Sequence, residues 1–490
     1  MTPPRTVTLP VWVPVAAAAL LWRLVPVLAG GGLRGAGVYD DGVYFTAATA
    51  LVHGRLPYAD FVLLHPPGIV LALAPFAALT RWLPDSVAFA VARAAFAVVG
   101  CVTAVLVARL AGAAGRAAAL TAGLAYAVAP AAAHAERTTM LEGPANLCLA
   151  AGLVVLLARP ELTARAALGA GALLGLGVCV KIWGVVPLVI VAVWVGRRSG
   201  RGRLGQLLAG AAGVCVAVCL PFFLAAPSEM VRYVALAQLG RTRAAAGWAE
   251  RMAGMVGPLL GRDPVLRPVH VLLVVGGCAA VALAAWSVRR DRRAHLFLAL
   301  LAGAVLTLLA SPTTFRHYGA LAAVPVSVVL GLAVQRARAL QVRGRRPAQV
   351  MVAGATAVLL VAAAQSLAPA VRAPFPRALA GAARHVDGCV TADDPTALVL
   401  MDTLSRDLAR GCRLWVDVSG LTYDPARPTH GTPRRLDGPW QRQVLGYLSS
   451  GEATVVHRRG TGLDALSRAT VARWPVLAEA GGYQLREPRP

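Results

Sequence analysis

The chain has 490 residues, of which 57% are hydrophobic and 14% are charged, and its formal net charge at pH 7 is +25. Soluble domains carry roughly a quarter of charged residues, so this composition excludes an ordinary soluble protein. The positive charge does not indicate nucleic-acid binding, because the arginines lie between apolar blocks, where they orient membrane helices. The richness in alanine, glycine and arginine is typical of a GC-rich bacterial genome, so we expect a protein of the bacterial plasma membrane.

Apolar blocks of membrane-spanning length run through the first three quarters of the chain. They lie at about residues 10–30, 62–82, 86–108, 117–134, 143–158, 166–180, 183–196, 204–225, 269–288, 294–311, 317–334 and 350–369. The first block is too long for the hydrophobic part of a signal peptide and lacks a small-residue cleavage site, so it predicts the first membrane helix. The second carries prolines near its start and tryptophan and arginine at its end, which favours an interfacial or dipping segment. The prediction is an all-α multi-pass protein with about eleven transmembrane helices plus interfacial helices.

Three arginine-rich linkers predict the orientation of these helices. They lie at 197–203, 289–293 and 336–346. Neighbouring linkers are separated by two predicted spans, so all three can lie in the cytoplasm. If the block 62–82 dips into the membrane without crossing it, the N-terminus is also cytoplasmic and the loop around Asp40 is outside. If that block crosses fully, the N-terminus lies outside and Asp40 and Asp41 face the cytoplasm. The dipping arrangement is favoured. The outer face then receives the loops 31–66, 135–142, 226–268 and 312–318. We therefore predict a transmembrane catalytic domain over 1–370 and a small extracytoplasmic α/β region over 371–490.

Two adjacent carboxylates open the first outer loop, Asp40 and Asp41. One interpretation is that Asp40 caps a helix running from about Asp41 to His53, because aspartate is a favoured N-cap residue. A carboxylate beside a membrane is costly, which favours a functional role in addition. Both interpretations stay open at this point.

The loop continues with Tyr44, with Tyr58 in a Gly-Arg-Leu-Pro-Tyr stretch, and with His65-Pro66-Pro67-Gly68. In this order the features resemble the C-type glycosyltransferases, the GT-C superfamily of membrane enzymes that use polyprenyl-phosphate sugars as donors. In that superfamily an acidic residue or pair opens the first outer loop, and lysine often precedes the Pro-Pro element, where this chain has His65. Among the relatives, the chain is most similar to bacterial family 87 mannosyltransferase-like proteins.

The second outer loop extends the resemblance. Family members often carry an arginine, four intervening residues and an acidic residue there, and Arg137 and Glu142 match that spacing. Glu136 is a competing acidic residue. Glu142 can instead serve only to start the following helix, where its charge suits the helix dipole.

Cationic candidates for a donor phosphate follow along the chain. Lys181 is the only lysine, and it either extends to the membrane interface or contacts the phosphate. Arg316, His317 and Tyr318 match an Arg-Tyr-near-Pro pattern of these transferases, and arginine binds phosphate through two parallel hydrogen bonds. The resemblance thus implies a phosphate site from Lys181, Arg316, His65 and Arg137, and a substrate pocket with Tyr44, Tyr58, His317 and Tyr318.

The C-terminal region is polar and alternates short apolar runs with helical patterns, as a small α/β module does. Cys389 and Cys412 flank one such stretch. A disulfide between them is allowed outside the cytoplasm, although their spacing alone does not establish it. The loop 226–268 has an amphipathic pattern that favours the membrane surface.

The resemblance implies transfer of a hexosyl or pentosyl group from a polyprenyl-phosphate donor to a hydroxyl of an envelope glycan, glycolipid or protein. Asp40 is the expected base and Asp41 the second choice. Participation of a divalent cation (Mg²⁺, Mn²⁺ or Ca²⁺) stays open, with Asp40, Asp41 and Glu142 as its ligands. The alternative is a transporter or lipid flippase, which Arg23 and Arg93 favour because they lie inside apolar blocks.

Overall fold

The computed structural model describes residues 10–241, 246–257, 267–341, 347–458 and 462–488. Parts of two predicted features, the loop 226–268 and the arginine linker 336–346, therefore lie outside the described residues. The first part of the chain is helical. Its helices are α1 (Trp12–Leu28), α2 (Tyr39–Val52), α3 (Gly68–Ala77), α4 (Asp85–Gly112), α5 (Arg116–Val128), α6 (Pro130–Glu136), α7 (Glu142–Leu157), α8 (Ala164–Val180), α9 (Val185–Ala225), α10 (Pro227–Val231), α11 (Ala237–Leu239), α12 (Trp248–Val256), α13 (Pro268–Val288), α14 (His295–Ala310), α15 (Ala323–Gln341) and α16 (Pro347–Gln365).

Four helical segments among the described residues are long and apolar enough to cross a membrane. They are Asp85–Gly112, Ile182–Ala225, Pro268–Val288 and Arg316–Leu340. The pair α5 and α6, bent by 61°, would form a fifth span, and the other apolar helices have 10–17 residues. The helical, multi-pass character is thus as predicted, whereas length and composition do not establish the predicted count of about eleven.

Two local features refine the predicted blocks. Helix α9 is broken at Gly200, whose backbone φ of 83° is non-helical, and this break lies inside the predicted linker 197–203. Helix α3 has 10 residues, a length of about 15 Å, whereas the hydrocarbon core is about 30 Å thick. By itself α3 is therefore too short to cross, which fits a segment that dips into the bilayer.

Helix α2 carries the acidic pair and is buried on all sides from Asp41 to Ala50. It begins at Tyr39, after the extended residue Val38, and no side chain caps it. The prediction that Asp40 is the N-cap is therefore wrong, because the helix starts one residue earlier and places both carboxylates in its first turn. Negative charge at that end suits the helix dipole.

The described part of the C-terminal region contains five α-helices and four short strands, so its α/β character is as predicted. The elements are α17 (Arg377–Arg384), β1 (Val390–Ala392), α18 (Pro395–Leu400), α19 (Leu404–Ala409), α20 (Gly438–Leu448), β2 (Ala453–His457), α21 (Ala465–Arg473), β3 (Val476–Ala480) and β4 (Tyr483–Arg486). The strand order is β1-β2-β4-β3, with β1 parallel to β2 and the other pairs antiparallel. Cys389 and Cys412 form a disulfide with a Cα–Cα distance of 5.7 Å.

The C-terminal region is docked tightly on the helical part, and its core shares one hydrophobic cluster with α2 and α3. The Ser86 amide donates to Asp402 Oδ1 at 2.8 Å, and the Ser405 amide donates to Asp85 Oδ2 at 3.0 Å. Arg55 donates to the carbonyl of Cys412 at 2.7 Å, beside the disulfide. These contacts fix α18 and α19 against α2 and α4.

A close approach in this interface lies at Gly42, and it gives a first prediction. A Cβ at Gly42 would lie 2.6 Å from the Cα of Thr396, so Gly42→Ala has to push α18 away from α2. We expect a loss of about 1–3 kcal/mol of stability, the usual cost of overpacking. The control is Gly446→Ala on the exposed side of α20, where a Cβ meets nothing within 4 Å. It should stabilise by up to about 1 kcal/mol. Equal thermal unfolding of both variants in detergent would contradict the tight docking.

Candidate active-site chamber

Asp40 lies in the first turn of α2, is half-buried, and makes no hydrogen bond or ion pair with any residue that the structure describes. Removal of the carboxyl group from water raises its pKa to about 7, and the charges of Asp417 and Glu142 act in the same direction. Arg241 and Lys181 partly oppose this shift. A free carboxylate whose pKa lies near neutrality is suited to accept a proton from a substrate.

Asp41, the next residue, is fully buried and has no free oxygen. Its Oδ2 accepts from Arg93 Nε at 3.0 Å and Nη2 at 2.5 Å, and its Oδ1 accepts from the amide and the hydroxyl of Thr139, both at 2.8 Å. Burial opposes ionisation, but the charges of Arg93 and Arg372 outweigh it and hold the pKa of Asp41 below its ordinary value. Asp41 thus joins α2 to α4 and to the loop before α7.

Glu142 and Lys181 form a buried ion pair at the start of α7 and the end of α8. The other carboxylate oxygen, Oε2, is buried without a hydrogen-bond partner in the described chain. The ammonium group of Lys181 also lies 4.8 Å from the ring centre of Trp183 and 4.5 Å from that of Tyr318. His317 Nε2 is 3.7 Å from the paired oxygen of Glu142. The predicted residues Glu142, Lys181, His317 and Tyr318 therefore come together.

Asp40, Glu142, Lys181, His317 and Tyr318 form the candidate chamber. Arg241 supplies a second cation to it. Its guanidinium lies 4.5 Å from the ring centre of Tyr423 and 3.5 Å from the hydroxyls of Thr313 and Tyr318. Its buried Nε has no hydrogen-bond partner among the residues that the structure describes. No carboxylate among the described residues forms an ion pair with it. Sequence reasoning missed Arg241, because it is one of several arginines in the loop 226–268.

His65 adds a neutral imidazole. Burial, with the nearby charges of Lys181 and Arg241, lowers the pKa of His65 well below its ordinary value. Its Nδ1 is buried without a partner in the part of the chain described, and its ring lies 5.7 Å from that of Tyr44. The Tyr58 hydroxyl donates to the His65 carbonyl at 2.7 Å. The backbone of Tyr58 is left-handed, with a φ of 71°. Non-glycine residues with positive φ often occur at functional sites.

Two predicted site residues lie elsewhere. Glu136 pairs with Arg23 at 2.8 Å and accepts from the Tyr126 hydroxyl at 2.6 Å, deep between α1, α5 and α6. Arg137 donates to the carbonyl of Trp22 at 2.5 Å. The second acidic residue of the chamber is accordingly Glu142, while Glu136 and Arg137 hold α1 in place.

These ion pairs also account for the charges that favoured a transporter. Arg23 is neutralised by Glu136, and Arg93 is neutralised by Asp41. Both guanidinium groups also donate to main-chain carbonyls, so each is fully used in joining helices. Neither arginine then indicates a transport path.

Arg316 is half-buried at the start of a 3₁₀ helix, Arg316–Ala322, which presents His317 and Tyr318 to the chamber. The ring of Phe315 stacks on that of His317 at 5.6 Å, which fixes the imidazole beside Glu142. The turn thus positions the aromatic wall of the chamber.

The three acids suggested as metal ligands do not converge. Asp41 is held by Arg93 and Glu142 by Lys181, which leaves Asp40 alone among them. Among the residues that the structure describes, no group of three His, Cys, Asp or Glu side chains is placed to hold a metal ion.

An apolar groove ends at this polar cluster. It has a volume of about 500 Å³, including the open space at its mouth, and Glu142 and Lys181 lie at its polar end. Its apolar walls include Leu149 and Leu321, which also line a second cavity of about 230 Å³. That cavity reaches Leu300 on α14. The walls thus suit a hydrocarbon chain whose charged head lies at Lys181.

The sequence of this helical membrane protein identifies the class of enzyme to which it belongs, the glycosyltransferases. Residues 63–312, just over half of the chain, match the sequence model of glycosyltransferase family 87, so the chain belongs to this family. No curated protein matches the chain.

Two solved structures share the fold. ArnT from Cupriavidus metallidurans, crystallised bound to undecaprenyl phosphate, has a TM-score of 0.59 at 15% identity over 97% of this chain and 98% of its own. The oligosaccharyltransferase AglB from Archaeoglobus fulgidus, in complex with an inhibitory peptide and a dolichol-phosphate, has a TM-score of 0.59 at 13% identity. The match covers 92% of this chain and 69% of the AglB chain. At these identities the likeness shows the fold, and it extends over the C-terminal region as well.

Proposed function

We propose that this glycosyltransferase moves a sugar from a polyprenyl-phosphate donor to a hydroxyl group of a cell-envelope acceptor at the outer face of the membrane. The observation that carries this proposal is that two cations act on the unpaired carboxylate of Asp40, namely Arg241 and Lys181, and that Lys181 lies at the polar end of an apolar groove. Family membership supports the reaction class.

The donor lipid fits the groove by its chemistry. A prenyl chain is a hydrocarbon, and burying it against Leu149 and Leu321 is favourable in proportion to the area removed from water. Its phosphate then lies near Lys181 and Arg241. ArnT bound to undecaprenyl phosphate and AglB bound to dolichol-phosphate carry lipids of this class on the same fold.

The reaction needs few groups. The bond between the anomeric carbon and the phosphate oxygen breaks, and the phosphate leaves as an anion that Lys181 and Arg241 stabilise, so no general acid is required. The acceptor oxygen forms the new bond to the anomeric carbon and gives its proton to the Asp40 carboxylate. One displacement of this kind inverts the anomeric configuration.

The phosphate site is tested by binding of undecaprenyl phosphate to the purified protein in detergent, followed by native mass spectrometry. Because charge-assisted hydrogen bonds contribute about 1.5–3 kcal/mol, we expect Arg241→Gln to weaken binding by roughly 10–100-fold. Lys181→Gln would leave Glu142 unpaired, so the double variant with Glu142→Gln is measured beside it. The control is Arg435→Gln at an exposed position of the C-terminal region.

Undecaprenol, which lacks the phosphate, separates binding of the head from binding of the tail. Its affinity should be the same for the wild type and for Arg241→Gln. Undecaprenyl phosphate binding that is unchanged in Arg241→Gln and in the double variant would overturn the proposed phosphate site.

A further inference from the structure

We infer that Asp417 of the C-terminal region is a positioning residue for Asp40, so that the C-terminal region completes the catalytic chamber. This inference rests on the proposed function, in which Asp40 is the base. It assigns to residues 371–490 a part in the reaction itself, through one contact with the first turn of α2.

The contact is a hydrogen bond from the Tyr39 hydroxyl to Asp417 Oδ1 at 2.9 Å. The same oxygen accepts from the amide and the hydroxyl of Ser419 at 3.1 and 3.0 Å and from the amide of Gly420 at 2.8 Å. The Tyr39 oxygen in turn accepts from the Ser419 amide at 3.0 Å. Asp417 is therefore held in one position by its own turn, and it holds Tyr39.

Tyr39 is the first residue of α2, and Asp40 is the next. The first turn of a helix lacks internal partners for its amides, and no side chain caps this one, so its position depends on contacts of this kind. Anchoring the Tyr39 side chain fixes the direction in which the Asp40 carboxylate leaves the helix.

Asp417 also places a charge beside Asp40. Four charged groups bear on Asp40 most strongly, namely Asp417, Glu142, Arg241 and Lys181. Glu142 is paired with Lys181, whereas Asp417 has no cationic partner among the described residues. Its charge therefore acts on Asp40 with less local compensation, and it favours the protonated form of the base.

The same segment also contacts Arg241, the cation proposed to bind the donor phosphate. Tyr423 stacks under Arg241 at 4.5 Å, and Asp424 pairs with Arg232 at 3.4 Å. The His430 ring and the carbonyl of Gly240 lie 2.8 Å apart, within hydrogen-bond distance. Residues 417–430 thus contact both sides of the chamber.

The test is the pH dependence of sugar transfer from synthetic undecaprenyl-phosphate hexoses to acceptors in membranes that carry the full-length protein. In Asp417→Asn the amide oxygen still accepts from Tyr39, and only the charge is lost. Because the base works when ionised, activity rises as the pH passes through the pKa of Asp40. Removing the neighbouring negative charge favours ionisation, so the acidic limb should move to lower pH by about half a unit or more.

Tyr39→Phe tests the anchor, since it keeps the charge of Asp417 and removes the hydrogen bond. We expect a fall in kcat of roughly 5–50-fold without a shift of the acidic limb, as misplacement of a catalytic group produces. Asp424→Asn is the matched control, because it breaks another contact of the same segment, and its pH profile should equal that of the wild type.

An acidic limb of Asp417→Asn that superimposes on the wild type, or an equal shift in Asp424→Asn, would overturn the inference, as would an unchanged kcat in Tyr39→Phe. Thermal unfolding of each variant confirms that the compared proteins are folded. A different result would contradict the proposed function itself, namely transfer of sugar by Asp40→Asn at the rate of the wild type.

Discussion

Replacing Asp40 by asparagine should lower the rate of sugar transfer by about 10²–10⁴-fold, the usual contribution of a positioned base, while the protein stays folded. Asparagine has nearly the same size and cannot take up the acceptor proton. Asp40 has no hydrogen bond or ion pair to lose in the described structure, so the unfolding temperature should change by no more than a few degrees.

The rate is measured with undecaprenyl-phosphate hexoses in membranes, and complementation of a deletion strain gives the glycolipid profile. Asp387→Asn serves as the control, because Asp387 is exposed and its side chain takes part in none of the contacts described for the chamber. A normal glycolipid profile in the Asp40→Asn strain would show that another group accepts the proton.

Asp41→Asn should give the opposite result, a large loss of stability. The change leaves the Arg93 guanidinium fully buried without its counter-charge, and breaking a buried ion pair costs about 3–5 kcal/mol. The measurement is unfolding in detergent, monitored by the near-ultraviolet signal. The double variant with Arg93→Met removes both charges and should recover part of the loss.

The contribution of the Asp41–Arg93 ion pair to stability depends on pH, and the direction of the pKa shift of Asp41 determines how. The folded pKa of Asp41 is depressed, so the pair stabilises the protein above the unfolded value of about 3.9 and loses this effect as the pH falls through the folded value. If Asp41→Asn unfolds like the wild type and yet abolishes transfer, then Asp41 and not Asp40 carries the chemistry.

Asp40 and Asp41 illustrate which features of this site can be predicted from the sequence. Both carboxylates could be identified as functional candidates from their place after the first apolar block. Neighbouring residues on a helix point in different directions, so one reaches Arg93 and the other reaches the chamber. Only the position of α4, 52 residues further along the chain, decides which is which.

The same reasoning separates the remaining residues. Lys181 could be selected as a candidate because it is the only lysine, and Glu142 because it follows Arg137 at the spacing seen in the family that the chain resembles. Arg241 and Asp417 carry no local signal, since each is an ordinary residue of a polar segment that reaches the chamber only through tertiary packing. The number of transmembrane helices could not be predicted from the composition either, because several apolar helices are short and α9 is broken at Gly200.

The bond between Tyr39 and Asp417 joins residues 378 positions apart in the chain. Translation at about 5–20 residues per second separates the appearance of these two side chains by roughly 20–75 s. During that interval the membrane helices have emerged and Asp41 can contact Arg93 and Thr139, but the Tyr39 side chain still lacks its partner Asp417. A nascent chain still on the ribosome would therefore transfer sugar roughly 5–50-fold more slowly, as expected for Tyr39→Phe, until residues 371–490 have folded.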